Sequence, residues 1–148
     1  MMKKIVLTLT VTMLLTLTVG SVSAQTELTN EEKEFAQTIV NDFEDSHKID
    51  LEGYELLDKN TLFDKDNLTP DEKSLISVYT DITKSQSFFG ISPLFYIDKA
   101  NNNGYVLEKE LDGMNNLYVL SKSNQTWEIS DKTHKKGTSL EDLGLLAK

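Results

Sequence analysis

The sequence predicts an α+β fold in which N-terminal helices pack on a C-terminal antiparallel meander of three to four strands. Residues 29–84 contain two helix-capping boxes, each followed by apolar residues at helical spacing. Residues 91–129 instead alternate apolar and polar residues between turn signals. Because the helices precede the strands, we expect a single α+β domain, with a sheet able to curl into a cone.

The first 24 residues are typical of a secretory signal peptide. Two lysines precede an apolar run, and small residues at positions 22–24 fit a signal-peptidase site. We expect cleavage before Gln25, which leaves residues 25–148 as the single domain. The apolar run is short for a membrane span, so an uncleaved anchor is the less favoured alternative. A secreted protein, extracellular or associated with the cell wall, is therefore expected.

The two capping boxes define the predicted helices. Thr29 and Glu32 begin the first, expected over residues 30–46, and Thr69 and Glu72 begin the second, expected over 70–84. The intervening segment is too apolar for a linker and is predicted to be a short helix or an irregular segment packed on the core. The predicted core residues include Phe35, Ile39, Leu75, Tyr79 and Trp127.

Turn signals divide the second half of the chain into strands. An Asn-rich turn, Asp112-Gly113 and Ser123-Asn124 separate strands predicted near residues 91–97, 105–111, 117–120 and 126–129. Pro93 confines the first of these to a strand start or a sheet edge. We predict a polar loop at 132–137, then a short helix capped by Ser139 and running through Leu146.

Composition argues against several classes of function. The formal net charge of −9 becomes −11 once the two lysines of the signal peptide are removed. This charge disfavours nucleic acid and anionic membranes as partners. The chain has no Arg, so it lacks the bidentate fork that binds phosphate, and it has no Cys for disulfides or thiolate metal sites. Abundant Lys and Asn without Arg indicate an AT-rich genome and, with the short signal peptide, a Gram-positive bacterium.

Two loops partly match a calcium-binding EF-hand. The stretch that begins at Asp64 lacks the required ligand, glycine and terminal glutamate. The loop around Gly104 has asparagines and Glu110 at ligand positions, but Lys99 occupies the place of the first aspartate. We therefore favour a loop that enters a capped helix and a hairpin turn, and we expect neither a metal nor a cofactor.

Two sets of residues are weak catalytic candidates. Glu108 and Glu110 share a strand face, about 7 Å apart by the strand rise, as a glycosidase pair would, but a solvated face is favoured. His47 and His134 are the only histidines and are expected at the surface. No nucleophile motif, zinc motif or phosphate loop accompanies them, so no catalytic residue is assigned.

Aromatic residues concentrate in the predicted sheet. Seven of the twelve lie between Phe88 and Trp127, and they either fill the core or line a pocket. If a pocket exists, Tyr105 and Trp127 are the expected ligand-binding residues. The element order resembles that of small cone-shaped folds of the nuclear-transport-factor-2-like kind, whose sheet encloses a cavity, although no motif of that family is present.

The leading functional hypothesis is a small secreted acidic bacterial protein that acts as a non-catalytic binding or interaction module. Its partner would be a protein or a small ligand. One alternative is a secreted hydrolase that uses carboxylates or a histidine. Another is a structural or chaperone-like cell-wall factor whose interaction surface is the acidic helical half, where residues 25–87 hold sixteen acids against six lysines.

Overall fold

The computed structural model describes residues 29–86 and 91–146. The predicted signal peptide lies outside these residues. The helices are α1 (Asn30–His47), α2 (Lys59–Phe63) and α3 (Pro70–Ser85). The strands are β1 (Glu55–Leu56), β2 (Leu94–Asp98), β3 (Asn103–Lys109), β4 (Met114–Ser123) and β5 (Thr126–Lys136). No helix among the described residues is long and apolar enough to cross a membrane.

Both predicted capping boxes form. The Thr29 hydroxyl accepts a hydrogen bond from the Glu32 backbone N–H, and the Glu32 carboxylate accepts one from the Thr29 backbone N–H. Thr69 and Glu72 repeat this arrangement at the start of α3, with Pro70 as the first helical residue. The stretch that begins at Asp64 therefore precedes a capped helix, as predicted.

The strands form one antiparallel sheet in the order β1-β2-β3-β4-β5. The predicted turns lie where expected, and the β4–β5 turn holds Asn124 and Gln125 at φ values of 47° and 63°. Two consecutive positive φ values match the twist of a tight hairpin. The sheet is open, with β1 and β5 at its edges, and the curled, cone-like shape is not confirmed.

The helices cover opposite faces of this sheet. On one face, Ile39, Val40 and Phe43 of α1 pack with Leu107 and Leu117 of β3 and β4. On the other face, apolar residues of α2 and α3 pack on alternate strand residues: Leu62, Leu75, Val78, Ile82, Phe95, Ile97, Val106, Tyr118, Leu120 and Trp127. The three inner strands β2, β3 and β4 therefore contribute to two separate core clusters, which explains why both phases of their alternation contain apolar residues.

The sheet is longer than predicted. A fifth strand, β1, pairs with β2 through only two residues, too few to give a sequence pattern. The predicted polar loop at 132–137 is wrong, because β5 continues through Lys136 opposite β4. This half of β5 is polar because it is an exposed sheet edge, where lysines protect the unpaired backbone.

The predicted C-terminal helix is also wrong. Ser139 does act as a cap, since its hydroxyl accepts a hydrogen bond from the Asp142 N–H at 3.1 Å. Only one turn follows, and the chain reverses at Gly144, which has a φ of 72°. A glycine in this left-handed conformation is a common helix terminator. The buried Leu140 anchors the turn against α1 and β3.

The predicted core is confirmed in part. Ile39, Leu75 and Trp127 are buried, whereas Phe35 and Tyr79 are only half-buried. Phe35 lies near the start of α1 in the wall of an open cleft, and Tyr79 packs edge-on against Phe63, which is itself exposed. The fully buried aromatic residue of α1 is instead Phe43, near its C-terminus.

Candidate functional site

A polar cluster lies inside the core, between α1 and the strands β3 and β4. Its centre is Lys109, which has no exposed surface (0%). The Lys109 Nζ donates hydrogen bonds to Asp42 Oδ2 at 2.6 Å and to Asn115 Oδ1 at 2.7 Å. The Asn115 Nδ2 donates in turn to Asp42 Oδ2 at 2.6 Å. The three side chains thus form a closed ring of hydrogen bonds; we call it the Lys109 cluster.

The surrounding backbone closes the Lys109 cluster from solvent. The Thr138 N–H donates to Asp42 Oδ1 at 2.9 Å, and Asn115 Nδ2 also donates to Ser46 Oγ. Gly137 lies directly against the ring, because a β-carbon there would be 2.3 Å from both Asn115 Nδ2 and Asp42 Oδ2. Burial raises the pKa of Asp42, but the hydrogen bonds from Lys109, Asn115 and Thr138 outweigh it and leave this pKa below its usual value.

His47 joins the same cluster to the edge of the sheet. Its Nε2 lies 3.1 Å from the Asn115 carbonyl oxygen, its Nδ1 lies 3.2 Å from Thr133 Oγ1, and its ring stacks on Phe43. A neutral ring with the proton on Nε2 satisfies both contacts, since Nδ1 then accepts from Thr133. Burial lowers the pKa of His47, and the nearby charge of Lys135 lowers it further, against the opposing contact with the Asn115 carbonyl.

The lowered pKa of His47 predicts acid sensitivity. His47 is harder to protonate in the folded protein than in the unfolded chain. Its contribution to stability is therefore complete above the unfolded pKa, near 6.5, and is lost as the pH falls from there through the folded pKa. We expect the urea midpoint to fall between about pH 7 and pH 5. His47→Gln, which keeps a donor to Asn115, should flatten this part of the profile, and His134→Gln, at an exposed site, should not. Parallel slopes in all three proteins would contradict the assignment.

A second polar cluster lies on the α3 face of the sheet, and it corrects the expectation of a solvated face. Glu108 is 3% exposed, and the Tyr118 hydroxyl donates to its Oε2 at 2.6 Å. Glu110 is half-buried and accepts a hydrogen bond from Asn116 Nδ2 at 2.8 Å. Burial, with the Glu108 carboxylate nearby, raises the pKa of Tyr118 well above its usual value. Each carboxylate thus has a protein partner.

An open cleft of about 760 Å³ lies between the start of α1, the segment from β1 to α2, and the residues just before β2. Apolar side chains form much of its wall: Phe35, Ala36, Leu56, Leu57, Ile91 and Leu94. Lys59 and Ser92 add polar groups, and the Lys59 amine contacts the Ser92 hydroxyl and lies 5.5 Å from the centre of the Tyr79 ring. We call this region the α1–β2 cleft.

The two predicted ligand-binding residues lie apart. Tyr105 packs on the α1 face, where its ring centre is 5.3 Å from that of Tyr54. Trp127 is buried on the α3 face, with the Lys122 amine 5.7 Å from its ring centre. Because the sheet separates them, they do not line one common pocket, and neither contributes to the wall of the α1–β2 cleft.

The loops considered for metal binding form ordinary turns. Asp98 accepts hydrogen bonds from the backbone N–H groups of Ala100 and Asn101 and from the Asn101 side chain. The β2–β3 connection is therefore a side-chain-stabilised hairpin turn, as favoured. In the part of the chain that the structure describes, no three His, Asp or Glu side chains come together so that they could hold a metal ion.

Sequence reasoning did not identify the Lys109 cluster, although a signal for it exists. Lys109 follows Tyr105 and Leu107 at every second position of β3, on the face that packs on α1. Asp42 lies beside Ile39 and Phe43 on the apolar stripe of α1. When one apolar face carries a single acid and the face packed on it carries a single lysine, the two charges are expected to pair in the core.

Comparisons of the chain with protein-family models, with curated proteins and with solved structures give no match.

Proposed function

We propose that this chain is a secreted, non-catalytic binding protein of a Gram-positive bacterium that holds an amphiphilic ligand in the α1–β2 cleft. The observation that carries the proposal is the cleft itself. Its volume is within the range of small-molecule sites, and apolar walls with few polar groups are typical of such sites. The ligand is chemically an amphiphile: an apolar body for the wall and a polar or anionic end for Lys59.

The placement of the polar groups supports this orientation. Lys59 and Ser92 lie together at one side of the cleft, where the Lys59 amine contacts the Ser92 hydroxyl. Glu31 and Glu32 lie on the α1 side and would repel an anionic end. Asp58, next to Lys59, also lines the cleft, but it accepts a hydrogen bond from a backbone N–H as the cap of α2. Lys59 is the one cation among the described wall residues, so an anionic ligand is favoured with its charged group at Lys59.

The burial and pairing of the acidic residues favour binding over hydrolysis as the function. Glu108 is buried and paired with Tyr118, and Asp42 is buried and paired with Lys109. A glycosidase pair needs two carboxylates that face a substrate cleft, and neither Glu108 nor Asp42 contributes to the α1–β2 cleft. Of the acids that do line it, Glu32 and Asp58 accept backbone N–H groups at the starts of α1 and α2, where they act as caps. The net negative charge of the chain further supports a ligand outside the classes of nucleic acid and anionic membrane.

Titration with anilinonaphthalene sulfonate tests the proposal, because this probe combines apolar rings with one anionic group. We expect a saturable rise in probe emission under conditions in which the protein melts cooperatively. Phe35→Ala removes part of the cleft wall and should weaken binding by roughly tenfold, the effect of losing about 1.4 kcal/mol of apolar contact.

Two controls make the assignment specific. Ile129→Ala removes an exposed apolar side chain from β5, outside the cleft, and should leave the affinity unchanged. Lys59→Gln should weaken binding of the sulfonate probe but not of an uncharged apolar dye. A probe response without saturation, or equal affinity in the wild type and Phe35→Ala, would rule the cleft out.

A further inference from the structure

The Lys109 cluster brings an amine, an amide and a carboxylate together in a region closed to water. We propose that Lys109 and Asn115 react to form an intramolecular isopeptide bond, from Lys109 Nζ to Asn115 Cγ, with Asp42 as the catalytic proton carrier and ammonia as the leaving group. This autocatalytic cross-link does not involve the α1–β2 cleft, so its test is independent of the test of the proposed binding function.

The sheet register holds the two reacting residues in place. Lys109 and Asn115 are direct partners in the β3–β4 pairing, and both side chains contact Asp42 of α1. The Lys109 Nζ donates a hydrogen bond to Asn115 Oδ1 at 2.7 Å, so the amine is in contact with the amide group that it would attack. Attack requires Nζ to move from this oxygen to the adjacent Cγ, a short displacement because the paired strands already hold both side chains together.

Proton transfer inside the cluster supplies the reactive, neutral form of the amine. Lys109 and Asn115 are both fully buried (0%), and Asp42 is only 8% exposed. The resting pair is charged, since the hydrogen bonds to Asp42 keep its pKa below the usual value. Transfer of one proton from Lys109 Nζ to Asp42 Oδ2 converts it to two neutral groups, which a buried site tolerates. These atoms are 2.6 Å apart, so the transfer occurs within an existing hydrogen bond.

One carboxylate oxygen is placed to serve both ends of the reaction. Asp42 Oδ2 lies 2.6 Å from the attacking nitrogen of Lys109 and 2.6 Å from the departing nitrogen Nδ2 of Asn115. After the Nζ lone pair attacks Cγ, Oδ2 gives its proton to Nδ2 and takes a second proton from Nζ. The Asn115 Oδ1 carries the negative charge of the tetrahedral intermediate until the Cγ–Nδ2 bond breaks.

The reaction balances without any other reagent. The ammonium group of Lys109 and the amide group of Asn115 become one secondary amide, one ammonia and one proton, which Asp42 holds. No electron is gained or lost. Exclusion of water by Gly137 and Thr138, which pack on the Asp42 side of the ring, protects Asn115 from simple hydrolysis.

Peptide mapping of the denatured full-length secreted protein tests the proposal. Trypsin cleaves after free lysines, so we expect no cleavage after Lys109 and a peptide 100–122 that is lighter than its sequence by one ammonia. Fragmentation should give no separate backbone ions between residues 109 and 115. Complete cleavage after Lys109, with peptides of unmodified mass, would overturn the proposal.

The map also separates the cross-link from other losses of ammonia. Cyclisation of an N-terminal Gln25 changes a different peptide, and a succinimide at Asn115-Asn116 leaves Lys109 open to trypsin. Either modification alone would count against the proposal. A bond from Lys109 to Asp42 would release water instead and would join peptide 34–48 to Lys109, which would also overturn it.

Two matched variants complete the test. Lys109→Arg retains the positive charge but lacks the amine nucleophile, so its peptides should have the unmodified mass. Asn115→Asp should give the same linked product with loss of water in place of ammonia, because the leaving group changes and the acyl carbon does not. Trypsin cleaves after position 109 in this variant, so loss of ammonia from its peptide 110–122, which contains Asn115, would show that the modification does not involve Lys109.

Discussion

Asp42→Ala is expected to lower the free energy of unfolding by about 3–5 kcal/mol, because it leaves the amine of Lys109 buried without a counter-ion. The variant also removes the acceptor of the Asn115 amide and of the Thr138 N–H. Each buried donor left unpaired adds its own desolvation penalty. Urea unfolding followed by the fluorescence of Trp127, which lies on the opposite face of the sheet, measures the loss without perturbing the reporter.

The matched control is Asp45→Ala on the same helix. Asp45 is exposed, so the expected change is within about 0.5 kcal/mol. A second comparison uses Asp42→Leu combined with Lys109→Met, which removes both charges and should recover the part of the loss caused by the unpaired amine, but not any part caused by the missing cross-link. None of these Asp42 or Lys109 variants can form the proposed cross-link, so they should all have the mass of their sequence. A loss below about 1 kcal/mol in Asp42→Ala would mean that water reaches Lys109.

The helices were predictable because their signals are local. A Thr with a Glu three residues later specifies hydrogen bonds within one turn, and these form at Thr29 and Thr69 without help from the rest of the chain. The extent of both helices was therefore predicted to within about one residue at the C-terminus. The failed C-terminal helix also began with a correct cap, but Gly144 stops it after one turn.

The sheet was harder to predict because pairing is not local. β5 carries Lys132, His134 and Lys136 in its second half, a composition that resembles a loop when the chain is considered alone. These residues become a strand only because β4 offers ten residues to pair with. β1 is a strand for the same reason, since its two residues are ordered by β2. Tertiary context thus overrides local preference at both sheet edges.

The candidate sites depend on which sheet face each residue occupies. The sequence placed Glu108 and Glu110 on one face correctly, but it did not reveal that α3 packs on that face and that Tyr118 reaches Glu108. Tyr105 and Trp127 were grouped because both lie on strands, and strand membership alone does not reveal the face. The Lys109 cluster combines residues separated by 67 positions, which only the packing of α1 on β3 brings together.

Phe43→Ala is expected to lower the free energy of unfolding by about 3–5 kcal/mol, because Phe43 is fully buried (0%). Its ring packs among Ile39, Leu107 and Leu140 and stacks on His47. Loss of the ring leaves a cavity that rigid strands on one side and α1 on the other cannot easily fill. The cavity also lies next to His47, so the acid sensitivity assigned to this histidine should weaken together with stability.

Phe35→Ala is the matched comparison, because it is the same substitution two turns earlier on the same helix. Phe35 is half-buried at the wall of the α1–β2 cleft, so its loss should be less than about 2 kcal/mol. Urea midpoints of the two variants at one pH give the contrast directly. A larger loss at Phe35 than at Phe43 would place the principal contact of α1 at its N-terminal end, and the cleft would then be a packed part of the core. The predicted order of the two losses therefore also tests whether the cleft is open to a ligand.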